Sequence, residues 1–235
     1  MNWMAKTRPG AAAPAIAPTK NGGATPGAAN ANLKVRTSNG LKEFLWLMSD
    51  VPHARVLDLG PVWQATVNFF LEKGYRISTD DLLGTWKDFV SAEEERLRAA
   101  PLTEEGYSAR LSASAMADKF LENALRYTED SFHGVLAWDL LDYFDPAVSS
   151  RIMDRLFSIL HPGGAVLALF HSRPPERFHR YRIIDTQTVE LVAAPTLAVH
   201  ARVFQNREIL ELFAKFRSSK TFVGRDQVRE GLFLK

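Results

Sequence analysis

The stretch VLDLGPVWQATVNFFLEKGYRISTDD, Val56 to Asp81, reads as strand, tight turn, helix, second strand and then acid. Val56, Leu57 and Leu59 make a short apolar run suited to a buried parallel strand. Gly60-Pro61 turns the chain into a helix from Thr66 to Lys73, which Gly74 stops. Tyr75 to Ser78 is a second strand ending on Asp80-Asp81, just over twenty residues past Asp58. Nucleoside-binding βαβ units place a carboxylate for the ribose diol at about that distance.

Farther along, SFHGVLAWDLLDY, from Ser131 to Tyr143, opens an apolar strand. Val148 to Leu160 has helical period, with Ile152, Leu156, Ile159 and Leu160 on one face, and His161-Pro162-Gly163-Gly164 stops it. Ala165 to Phe170 reads as a fully buried strand. Near the carboxyl end, Asn206 stands as the N-cap of a helix carrying Ile209, Leu212, Phe213 and Phe216 at i, i+3, i+4 and i+7. Thr221 to Val223 and Gly231 to Leu234 are two short strands around Gly224-Arg225-Asp226. Upstream of Val56, Leu41, Phe44, Leu45 and Met48 form a helical stripe that lies over the sheet or its cleft.

In this order the motifs resemble those of class I S-adenosylmethionine-dependent methyltransferases, over roughly residues 40 to 235. In that family a D/E-x-G-x-G-x-G loop follows the first strand; here the pattern runs Asp58, Gly60, Val62, Gln64, and only the first glycine is kept. His133 stands where the family's fourth-strand motif has an aspartate. Leu160 to Gly164 resembles its L-x-P-G-G signature. The resemblance implies an α/β fold, a Rossmann-like three-layer sandwich with a mostly parallel seven-stranded sheet ending in an antiparallel hairpin. It implies S-adenosyl-L-methionine as cofactor and methyl transfer as the reaction. Asp58 would orient the loop, Gly60 and Pro61 would lie near the methionine portion, and Asp81, or Asp80, would hold the ribose. Glu122 and Asn123 would contact adenine, and Trp138 would stand beside the cofactor. Asp139 and His171, ending strands on the edge where open α/β sheets bind ligands, are the candidate catalytic groups. The N/D-P-P-Y/F tetrapeptide of many nucleobase and glutamine-amide methyltransferases is absent, which points to a small-molecule acceptor.

Other readings of the same residues stay open. Asp80 or Asp81 also suits a helix N-cap, as does Asp139. Val62, Trp63 and Gln64 add bulk where the family's later glycines let backbone approach the cofactor, which suits a non-catalytic methyltransferase-like binding or regulatory domain. A nicotinamide-binding fold is a further reading, against which the final hairpin and PGG turn argue. Arg173, Arg177, Arg180 and Arg182, with His179, are a basic stretch able to attract an anionic substrate. Between Asp81 and Phe132, Glu93 to Arg98 reads as a solvated helix face and a third strand is expected near Lys119 to Leu121. Tyr181 to Ile184 and Val189 to Val192 read as an inserted hairpin over the substrate side.

Composition sets the bounds. The chain has 235 residues, a formal net charge of +2 and no cysteine, so disulfides and thiolate chemistry are excluded. The six histidines show no helical metal-ligand spacing, and no metal is expected. Residues 1 to 36, rich in Ala, Gly and Pro, carry five basic residues and no acid. They are expected to be a disordered tail ahead of one domain at 37–235, with nucleic acid a possible partner through their charge. No apolar run is long enough to span a membrane, and a cytoplasmic location is expected.

Overall fold

The computed structural model describes residues 34–99, 112–195, 201–224 and 226–235. Most of the expected disordered tail lies outside these residues. Its end does not: β1 (Lys34–Thr37) is an ordered strand, so the folded part begins within the segment assigned to the tail.

The helices are α1 (Asn39–Leu47), α2 (Gln64–Glu72), α3 (Leu82–Ala99), α4 (Ala113–Leu121), a 3-10 turn (Leu140–Tyr143), α5 (Pro146–Ile159) and α6 (Asn206–Leu212). After β1 the strands are β2 (Arg55–Asp58), β3 (Arg76–Thr79), β4 (Phe132–Trp138), β5 (Leu160–His171), β6 (His179–Ile183), β7 (Thr188–Ala193), β8 (Ser218–Val223) and β9 (Val228–Leu234). Gly74 ends the turn after α2 at φ +78°, the left-handed conformation that costs glycine least.

The main sheet has the order β3-β2-β4-β5-β9-β8. β3, β2, β4 and β5 run parallel, while β9 is antiparallel to both β5 and β8. Alternate residues along the central strands serve two cores, as the pleat requires. Leu57, Val135, Val166, Ala168 and Phe233 pack with Leu82, Phe120, Ile152 and Leu156. Val56, Leu136, Leu167 and Leu232 pack with Leu41, Phe44, Met48 and Phe70 on the other side. The result is a sheet between two helical layers, the Rossmann-like sandwich expected.

Three expectations need correction. Residues 119–121 lie in α4, where Ala117 and Phe120 face the core at helical spacing and Ser112 caps the first turn. The main sheet therefore has six strands among the described residues, without the outermost one. The stretch Glu93 to Arg98 is a largely exposed helix face except at Glu93, which is buried to 9% exposure and receives Lys119 Nζ at 2.7 Å. The cap of α6 is Gln205, whose backbone N–H donates to Glu208 Oε2 at 2.7 Å, while the Asn206 side chain accepts from Arg229.

The inserted hairpin forms as β6 and β7, and β1 pairs with β7 to make a second sheet of order β1-β7-β6. This arm sits on the α1/α2 side, with Tyr181, Ile183, Val189 and Leu191 in that core.

Candidate functional site at the carboxyl edge of the sheet

Parallel strands bring their carboxyl ends to one edge, and adjacency of β3, β2, β4 and β5 gathers Asp58, Asp80-Asp81, Trp138-Asp139 and His171 there. Asp58 is 1% exposed, and its Oδ1 accepts from Gly60 N at 2.9 Å and Trp138 Nε1 at 2.7 Å. Burial pushes its carboxyl up to about 6, against the lowering pull of those two hydrogen bonds. A Cβ on Gly60 would lie 3.2 Å from both Asp58 Oδ1 and Trp138 Nε1, tight enough to press on that hydrogen bond. Pro61 follows it along the crevice wall. Val62 is exposed, and Trp63 turns its ring beneath the Arg182 guanidinium, 5.7 Å from the centroid.

Trp138 sits at φ +48° beside a bulge in the β4 pairing, strained backbone for a bulky side chain. Its indole is fixed on both sides. Nε1 holds Asp58, and the ring lies parallel to Tyr181, centroids 5.3 Å apart and planes 9° off parallel.

The acids after β3 divide. Asp80 donates its backbone N–H to Asp58 O at 2.8 Å, and burial together with the charge of Asp81 raises its carboxyl above the ordinary range. Asp81 accepts from Gly84 N at the start of α3 and is gripped by both Arg180 terminal nitrogens, at 2.9 and 3.2 Å. Glu122 and Asn123 are exposed at the end of α4, and no hydrogen bond or ion pair joins either to the groups at this edge among the described residues.

Asp139 makes no side-chain cap for the 3-10 turn. Its Oδ2 accepts from Tyr181 Oη at 2.9 Å and lies 3.7 Å from His171 Nε2. Burial raises its carboxyl to about 6, with the His171 charge pulling down and Asp142 pushing up. Asp142, which the sequence reading passed over, is fully buried; its Oδ2 accepts from both the backbone N–H of His171 at 2.8 Å and Nδ1 at 2.9 Å. Burial raises Asp142 as well. For His171, burial opposes the charged ring, but the Asp142 hydrogen bond and the two nearby carboxylates prevail and lift its pKa above the ordinary value. The available signal was Asp139-x-x-Asp142, because side chains three apart eclipse on a 3-10 turn. Tyr181 was also missed, and only its place on the folded-over arm shows what it touches.

No family model matches the chain, and no curated protein matches it. Solved structures do. A 1,6-didemethyltoxoflavin-N1-methyltransferase from Burkholderia thailandensis is 18% identical over 83% of this chain and 76% of its own, with a TM-score of 0.44. A SAM-dependent methyltransferase structure from Methanosarcina mazei is 14% identical over 78% and 91%, at 0.39. The glycopeptide N-methyltransferase MtfA in complex with S-adenosylmethionine is 15% identical over 83% and 94%, also at 0.39. These likenesses are too distant to carry an argument about function. The strand order itself, with antiparallel β9 between β5 and β8, is that of a Rossmann-like α/β sandwich whose main sheet has six strands among the described residues.

Proposed function

We propose that the chain is an S-adenosylmethionine-dependent methyltransferase acting on a small acceptor. The observation that supports it best is the gathering of Asp58, Asp81, Asp139 and His171 at one edge, around the place where the chain reverses its direction of winding across the sheet. By type these residues fit the cofactor. Asp58 would fix the loop at Gly60, and Asp81 would receive the ribose hydroxyls. Bound there, the cofactor would supply a methyl group on a positively charged sulfur, leaving the protein to align the acceptor and exclude water. His171, with Nδ1 directed to Asp142, would take the acceptor's proton.

By space, the arm stands in the way. Tyr181 covers Trp138 and Asp139, Arg180 holds Asp81, and the crevice among Gly60, Pro61, Leu83, Trp138 and Arg180 retains about 20 Å³, room for roughly one water. Cofactor entry requires Arg180 and Tyr181 to withdraw. The same closure favours a second reading, a non-catalytic domain whose arm occupies the vestigial site for good.

Calorimetric titration with S-adenosylmethionine and S-adenosylhomocysteine, on the wild type and on Arg180→Ala, separates the two. Binding by the wild type supports the methyltransferase, and binding by Arg180→Ala alone supports the second reading. Absence of binding by both, with each shown to be folded, overturns it and leaves the second reading.

A further inference from the structure

Beside the closed crevice lies an open cavity of about 280 Å³, between the segment following β5, Lys34 of β1, and the turn leading into β9. His171 and His179 stand in its wall. We infer that this cavity binds a small anion carrying a carboxylate or phosphate group, and that this anion is the methyl acceptor; the acceptor role rests on the methyltransferase reading, the anion site does not.

Charge is the first argument. Lys34, Arg173 and Arg177 line the cavity, and none has an acid within ion-pair distance among the described residues. Of the two lining acids, Asp226 is taken by Arg36 at 2.8 Å, which leaves Glu176. The contrast with the arm is informative. Arg180 and Arg182 of β6 are committed to Asp81 and Glu190, whereas Arg173 and Arg177, in the segment before β6, have no acid partner among the described residues.

His179 lies in the field of the same cations. Burial lowers its pKa first, and the charges of Lys34, His171 and Arg177 lower it further, while a backbone hydrogen bond at Arg177 opposes. The ring therefore lies in positive surroundings. Position completes the case. His171 borders both the cavity and the Asp139–Asp142 pair, so a molecule anchored by its anionic end on Arg173, Arg177 and Lys34 would present its remaining atoms to the histidine. The volume, near the small end of ligand pockets, suits a small organic acid or phosphate monoester rather than a polymer segment.

The test uses the full chain without cofactor, titrated with citrate and with inorganic phosphate in low salt, and with glycerol as the uncharged probe. We expect either anion to bind, glycerol not to bind, and Arg173→Ala/Arg177→Ala to lose at least tenfold in affinity while melting at the wild-type temperature. Arg151→Ala/Arg207→Ala, an equal loss of charge elsewhere, should bind as the wild type does. No anion binding, or equal loss in both double variants, overturns the site. S-adenosylmethionine titrated separately into Arg173→Ala/Arg177→Ala should bind as in wild type. Anion binding without cofactor binding to any variant would keep the site and sink the acceptor role, so the two failures are distinguishable.

Discussion

At the scale of single residues, the site is built from carboxyl groups that the fold prefers protonated. Asp58 titrates near 3.8 when unfolded and at about 6 when folded. Between those values the native state holds the proton and the unfolded chain does not, so stability falls as pH rises through that window, by on the order of 3 kcal/mol for a shift of this size. Asp139, also raised to about 6, acts in the same direction. His171, raised as a base, adds stability that is complete below 6.5 and lost as pH rises through its folded pKa. Asp58→Asn keeps an acceptor for Gly60 and Trp138 without the charge. It should melt higher than wild type at pH 8 and about equally at pH 4; parallel melting curves at both values would sink the assignment. Asp142 acts through His171 as a positioning residue. In an active enzyme, kcat/KM should rise with pH as His171 loses its proton, through a step above 6.5, and Asp142→Asn should move that step to lower pH. A profile unchanged by the substitution would remove Asp142 from the role. The sequence displayed Asp58, Asp139 and His171 by their places at strand ends. Asp142 was signalled only by its spacing from Asp139, and its bond to His171, joining residues 29 apart, comes from sheet geometry.

Among elements, the arm is the one that decides access. Arg180 grips Asp81 as a ribose diol would be expected to, and it is the contact most cleanly removed. Arg180→Ala should raise affinity for S-adenosylmethionine about tenfold, equivalent to ~1.4 kcal/mol, without changing the fold. Unchanged or weaker binding, measured by calorimetry, would mean the pair does not compete with the ligand. Regular elements were legible wherever periodicity was long: α1, α2, α5 and both strands of the first βαβ unit follow their apolar spacing. Residues 119–121 misled because Phe120 and Leu121 beside a lysine look like a strand fragment. Only Ala113, Ala117 and Phe120 together reveal the helix. β1 escaped because it inverts the usual pattern. Val35 is 59% exposed and Arg36 is buried at 7%, and no rule of alternation anticipates an arginine pointing inward.

At the scale of the whole molecule, Arg36 joins the first of the described strands to the last. The guanidinium lies 2.8 Å from Asp226 and 2.8 Å from Glu230, and Glu230, itself 2% exposed, also receives the Gly40 N–H. Removing one partner strands a buried charge, so Arg36→Met should cost about 3 to 5 kcal/mol. Arg36→Met/Glu230→Gln should recover much of that loss, and additive destabilisation in chemical denaturation would refute the coupling. The pairing also shows why the boundary placed after residue 36 was unreadable: its reason lies some 190 residues away. β1 is pinned to β9, whereas β6, at the far edge of the arm's sheet, is held over the crevice by Arg180 on Asp81 and Tyr181 on Asp139, the contacts that opening would break. That motion would be visible as light. Tyr181 lies flat against Trp138, whose N–H points at a buried carboxyl, so opening of the crevice exposes that indole to water and should shift its share of the emission of the chain's five tryptophans to longer wavelength. The protein thus carries an optical gauge of its own cleft, readable without a label and silenced by Trp138→Phe.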